Sequence, residues 1–94
     1  MFTQAGCAQC HVPGIYSDRG SHDVGTYTPF DLSPLMRTPS LIEVWRTAPY
    51  LHDGSAETVR DVLTDRNPKD GRHGDVAKLT DRQIDDLCAY VLSL

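Results

Sequence analysis

Apolar residues recur with a clear helical period in one long stretch. Ile84, Leu87, Cys88, Val91 and Leu92 fall on one face of a helix that Thr80 opens, with Gln83 completing a capping box. Shorter helical patterns precede it. Val59, Val62 and Leu63 follow Ser55 as a plausible N-cap and stop at Asn67-Pro68. Leu41, Val44 and Trp45 follow a Ser40/Glu43 capping box and stop at Pro49, and residues 1–11 are helix-compatible until Val12-Pro13-Gly14 ends them. No run alternates with period two over a useful length, so no strands are expected. The pattern predicts an all-α chain of three to five short helices joined by long loops, forming one domain over residues 1–94.

The segment between the first two helical patterns changes that picture. Residues 14–39 contain Gly14, Gly20, Gly25, Pro29, Pro34 and Pro39 and show neither periodicity. A loop this long is uncommon in a small domain unless it wraps a ligand. Size points the same way, because a chain of 94 residues buries a marginal apolar surface and commonly recruits a cofactor, metal or disulfide. A composition of 39% hydrophobic and 23% charged residues is that of a folded chain and not a disordered one. A net charge of −4 argues against nucleic acid as a partner class. No stretch approaches the roughly 20 apolar residues that cross a bilayer.

Three cysteines cannot form a complete disulfide framework, and two of them stand in Cys7-Ala8-Gln9-Cys10-His11. This is the haem c attachment pattern. Two thiols a turn apart can each add to one haem vinyl group, and the adjacent histidine is then aimed at the iron from the same side. The competing readings fit less well. A redox CxxC pair would stand beside a βαβ pattern, and a structural zinc site needs two more ligands at matching spacing, whereas Cys88 is isolated. Bacterial haem attachment happens outside the cytoplasm, so a periplasmic or otherwise extracytoplasmic protein is expected, with a leader or upstream domain preceding these residues.

Beyond CAQCH, the segments HDVGT (22–26), RTPSLIEVWRTAPYLHDGSAETVRDVL (37–63) and LTDRQIDDLCAYVLSL (79–94) resemble the C-terminal haem domain of bacterial di-haem cytochrome c peroxidases and the related MauG family. The resemblance implies a small cytochrome c-like fold around one covalent haem. It also implies departures. The family's enzymes carry two haems, and this chain has one CxxCH motif, so the relay between haems is missing from it. Ile42-Glu43 stand where many relatives have Arg-Asn, leaving Arg37 or Arg46 to pair with a haem propionate. Where relatives place a Met or Tyr iron ligand, this chain runs Asp65-Arg66-Asn67-Pro68, and arginine has no lone pair to donate.

With His11 on one face of the iron, the opposite ligand decides between electron transfer and chemistry on a small oxidant. The candidates are His22, Met36, His52 and His73. His73 is the expected ligand, in the Gly-flanked loop where relatives carry theirs, and Met36 is the alternative, otherwise an apolar plug at the haem edge. His22 and His52 are expected to make hydrogen bonds, with Asp53 orienting His52. Trp45, Tyr50 and Tyr90 are expected to pack around the cofactor, Cys88 to be a buried inert thiol, and Asp81, Asp85 and Asp86 to form a solvated helix face. The expected role is electron transfer to a redox partner or fused domain, and the chain is not expected to be an enzyme by itself. The alternatives are a peroxide-reducing domain with His52 as base, and a haem sensor module.

Overall fold

The computed structural model describes residues 1–94. Its two α-helices are α1 (Val59–Leu63) and α2 (Asp81–Leu92). In α2 the anticipated capping box is present: Thr80 Oγ1 accepts from the Gln83 amide at 3.2 Å, and Gln83 Oε1 accepts from the Thr80 amide at 2.9 Å. Ile84, Leu87 and Val91 are buried on one face with Cys88 half-buried, while Leu92 lies toward solvent. Helix α1 starts later than the sequence pattern suggests, at a Thr58/Asp61 capping box and not at Ser55. The cause is a backbone pairing. Tyr50 N donates to Ala56 O at 2.7 Å and Ala56 N to Tyr50 O at 3.3 Å, which closes the TAPYLHDG loop and holds residue 56 extended.

The other helical expectations fail, and the all-α architecture of three to five helices fails with them. Gly6 at φ 88° breaks the first segment, leaving turns and a 3-10 turn at Cys7–Gln9. Glu43 adopts φ 57°, so the Ser40/Glu43 capping box does not form and only a 3-10 turn remains at Val44–Arg46. Glu43 instead pairs with Arg46 at 2.8 Å, and the Ser40 hydroxyl donates to Ile15 O. A two-stranded antiparallel ribbon, β1 (Ser21–His22) and β2 (Met36–Arg37), pairs Ser21 with Arg37 and His22 with Met36. Two-residue strands are too short to leave an alternating pattern. The ribbon divides the long glycine- and proline-rich loop and leaves Phe30 and Leu32 almost wholly exposed at its far end.

Helices α1 and α2 pack against each other. Arg60 reaches across to Asp81 at 3.5 Å and also bonds Asp85, so two of the acids expected to face only solvent clasp a cation. The core is Phe2, Val44, Val59, Leu63, Leu87 and Val91. Phe2 stacks at a tilt on Tyr90 with centroids 5.3 Å apart and edge-on to Tyr16 at 6.0 Å, which joins the amino-terminal turn to the last helix. Tyr50 packs on the core and its hydroxyl donates to Val44 O at 3.0 Å. Trp45 does not pack as expected, because the 3-10 turn that replaces a helix leaves it 59% exposed.

Leu87 is the most completely buried large side chain, at 1% exposure. Leu87→Ala should cost about 2–5 kcal/mol in denaturant unfolding. Leu32→Ala, at a fully exposed position, should change stability by no more than about 0.5 kcal/mol.

Candidate functional site

A cavity of about 390 Å³ opens in the middle of the molecule. It lies within the range of small-molecule sites, roughly 300–1,000 Å³. Cys7, Cys10, His11, Met36, His52 and His73 all line it, drawn from separate stretches of chain. Five of the six core side chains face it too, leaving only Leu87 outside.

The CAQCH segment forms a single tight turn. Cys10 N and His11 N both donate to Cys7 O, at 3.3 and 2.9 Å. Burial is the main effect raising the pKa of both thiols, with Asp18 adding to the rise at Cys10, so both are protonated near neutral pH. His11 is held by its own neighbourhood. Its Nδ1 lies 2.9 Å from Tyr16 O, and because a carbonyl only accepts, Nδ1 is the donor in this bond and Nε2 is the nitrogen left unengaged by it. This is the arrangement that orients a metal-binding histidine through its other nitrogen. Tyr16 takes a left-handed φ of 56°, and its hydroxyl meets that of Tyr90 at 3.3 Å.

His73 sits in a loop clamped from three sides. Asp75 N donates to Ala5 O at 2.8 Å, tying the loop to the turn that carries Cys7. Asn67 Nδ2 donates to Gly74 O at 3.1 Å and to Leu63 O at 3.2 Å. Arg72 pairs with Asp23 at 3.0 Å and Asp70 at 2.8 Å. Gly25 of the HDVGT segment lies against the same loop, so close that a Cβ there would stand 2.5 Å from Pro68 Cγ. Burial, and secondarily the charge of His11, push the His73 pKa below the ordinary histidine value, which keeps the ring neutral. Its Nδ1 is enclosed and has no hydrogen-bond partner.

The remaining candidates are engaged elsewhere. His22 Nε2 bonds Asp18 Oδ2 at 2.6 Å. His52 Nε2 bonds Asp31 Oδ2 at 2.9 Å, whereas Asp53, the expected partner, accepts from the Ser55 amide. Cys10, Asp18 and His22 put their polar atoms within 4.8 Å of one another, but the last two already satisfy each other. Arg46 is turned away toward Glu43, while Arg37 on β2 lines the cavity and has no carboxylate partner. Tyr16, Asp18 and Asp31 had no individual signal in the sequence, and Asn67 read only as a helix stop before Pro68. Their partners are five or more residues away or lie on the backbone, except for the Asp18–His22 and Thr28–Asp31 spacings.

Residues 37–70 match the family described as RoxA-like, cytochrome c-like. The methylamine utilization protein MauG of Methylorubrum extorquens is 27% identical over 114 residues, an alignment that covers all of this chain and 32% of that protein. Hydrazine synthase subunit gamma of Kuenenia stuttgartiensis is 28% identical over 88 residues, covering 89% of this chain and 25% of that protein. A solved structure of the same organism's hydrazine synthase, pressurized with xenon, superimposes with a TM-score of 0.86 at 27% identity, covering 98% of this chain and 42% of that one. The chain thus spans about a third or less of the curated relatives it matches.

Gly25 combines φ 77° with the contact to Pro68. Gly25→Ala should therefore cost at least about 1–2 kcal/mol from the left-handed backbone alone, and should raise proteolysis within residues 67–75. The Asp18 carboxyl is held down at about 2, first by the Gly20 amide and next by the His22 ring. Its stabilising effect is complete above the ordinary carboxyl value and is lost as pH falls toward 2. Native protein should therefore be more urea-resistant than Asp18→Asn above pH 4. The two midpoints should converge near pH 2, and parallel curves would show that the pair contributes nothing.

Proposed function

We propose that this chain, a cytochrome c-like domain related to MauG and to hydrazine synthase subunit gamma, is one unit over residues 1–94 that holds a single haem through thioether bonds from Cys7 and Cys10 and transfers electrons. The observation that carries this is the convergence of both thiols, His11 and His73 on one largely apolar cavity. The residues fit a haem on three further counts. His11 keeps Nε2 free because Nδ1 is committed to Tyr16 O. His73 is neutral and has an unpaired, enclosed ring nitrogen. Arg37 lines the cavity with no carboxylate partner of its own, which suits a propionate.

When bound, the haem supplies one-electron chemistry at an iron whose potential follows its axial ligands, burial and hydrogen bonds. His11 and His73 would be the residues that hold the iron. Two imidazoles favour a lower potential than an imidazole and a thioether would. Met36 then serves as an apolar wall. His52 donates through Nε2 to Asp31, which ties that nitrogen to a positional role and away from service as a general base. A peroxide-reducing site needs an open iron face, and the clamped loop around His73 favours a closed one. The activities of the full-length relatives do not transfer to a chain that spans so little of them.

The redox partner is a docked protein or a fused domain. Net charge of −4 on the polypeptide, made more negative by propionates, favours a basic docking face. No helix is long and apolar enough to cross a membrane. Thioether formation in bacteria places maturation outside the cytoplasm.

Protein matured in an exporting host should, after denaturation, weigh one haem more than its polypeptide. The double variant Cys7→Ala/Cys10→Ala should lose that mass. The ferric spectrum should be six-coordinate and low-spin, and His73→Ala should turn it high-spin and responsive to cyanide, with Met36→Ala leaving it unchanged. A spectrum indifferent to His73→Ala but altered by Met36→Ala would reassign the ligand.

A further inference from the structure

Cys10, Asp18 and His22 bring a thiol, a carboxylate and an imidazole together, with their ligating atoms all within 4.8 Å of one another. The three come from separate segments, the CAQCH turn, the loop that follows it and strand β1. Each segment is tied in place. His11 Nδ1 donates to Tyr16 O at 2.9 Å, which joins the turn to the loop. Ser17 Oγ accepts from Arg19 N at 3.0 Å and donates to Thr38 O at 2.7 Å, while Thr38 N donates to Gly20 O at 2.9 Å, which joins the loop to the ribbon.

Within the cluster the carboxylate is aimed. Gly20 N donates to Asp18 Oδ1 at 2.7 Å, which leaves Oδ2 facing His22 Nε2 at 2.6 Å. A hydrogen bond on the far oxygen is how a metal-binding carboxylate is oriented. Gly20 has a spatial reason to be glycine. Its φ lies outside the left-handed region, so the backbone does not demand it, but a Cβ there would stand 3.2 Å from Asp18 Oδ1 and 3.3 Å from His22 Nε2. The missing side chain leaves room around two of the three donors.

We propose that the chain, before haem is attached, binds one thiophilic divalent cation of the Zn²⁺ class through Cys10 Sγ, Asp18 Oδ2 and His22 Nε2. Thiolate, carboxylate and imidazole are all zinc ligands, and three protein donors with one water make a tetrahedral site. Zinc bonds of about 2.0–2.3 Å set neighbouring donors roughly 3.3–3.6 Å apart, between the 2.6 Å of the His22–Asp18 contact and the 4.8 Å limit of the whole cluster. On binding, the Cys10 thiol proton leaves to solvent and the His22 ring proton moves from Nε2 to Nδ1. The cation takes the place of the proton between His22 and Asp18, and one thiolate with one carboxylate neutralises its charge. A sulfur held in this way neither adds to a vinyl group nor joins Cys7 in a disulfide. Zinc and haem therefore compete for Cys10. That competition rests on the reading of Cys10 as a thioether site, whereas the metal site does not.

The chain, produced without haem maturation, is alkylated with iodoacetamide with and without Zn²⁺, and the rate is read at each cysteine by peptide mass. Zinc should slow alkylation of Cys10 at least tenfold and change the rates at Cys7 and Cys88 by less than twofold. His22→Ala and Asp18→Asn should each abolish the protection. Equal protection of Cys7 and Cys10 would put the ion on the CAQCH turn and overturn the proposal, as would no protection, or protection of Cys10 that survives either substitution. Should a variant fail to fold, Co²⁺ in the native chain decides alone: charge-transfer absorption from one thiolate is expected, and absorption from two sinks the site. Failure of the haem reading is seen separately, because protein matured in an exporting host gains or lacks the haem mass whatever zinc does.

Discussion

Phe2, Val44, Val59, Leu63 and Val91 form most of the hydrophobic core and at the same time part of the apolar wall of the cavity. Everything else in the molecule follows from that sharing. Ten of 94 residues are buried, far too few for the helices to be held by packing on one another alone. Each of these five side chains faces the cavity as well as the core, while Leu87 is buried away from it.

A cavity of this kind has to be enclosed by loops, and the loops are held by discrete polar ties. Ser17 Oγ donates to Thr38 O at 2.7 Å, Thr38 N donates to Gly20 O at 2.9 Å, and Asp31 accepts from Thr28 and His52. These bonds draw the glycine- and proline-rich segment around the site in place of regular secondary structure. The ties around residues 67–75 act likewise on the other side. Each tie is weak, at about 0.5–1.5 kcal/mol net, but together they constrain ring orientation at the histidines, which apolar packing alone does not do.

The sequence was most legible where a signal is local. Thr80, Gln83 and the Ile84–Leu87–Val91 stripe specify α2 because capping and periodicity lie within a few residues of one another. The Cys7-Ala8-Gln9-Cys10-His11 motif was legible for the same reason, although a turn and not the expected helix carries it to the cavity. The failures share a cause. Gly6 and Glu43 adopt left-handed backbone because of where the chain must go next, and the Tyr50–Ala56 pairing delays α1 past its apparent cap. The ribbon of Ser21–His22 with Met36–Arg37 is set by closure of a long loop, and the Asp31–His52 bond joins residues 21 apart in sequence. Nothing within a local window announces such pairings. Asn67 was legible in part. As the residue before Pro68 it reads as a helix stop, and its contacts with Leu63 and Gly74 appear only in three dimensions.

The stacking of Phe2 on Tyr90 has a consequence for biosynthesis. A chain made from its amino terminus releases Phe2, Cys7 and Cys10 long before α2, whose Tyr90 stacks on Phe2. Throughout that interval the two sulfurs are uncovered, each with the other as its nearest oxidation partner. A Cys7–Cys10 disulfide formed then would leave no thiol for the porphyrin vinyl groups. For the thioether attachment proposed above, reductant and haem would have to reach the nascent turn before that oxidation does.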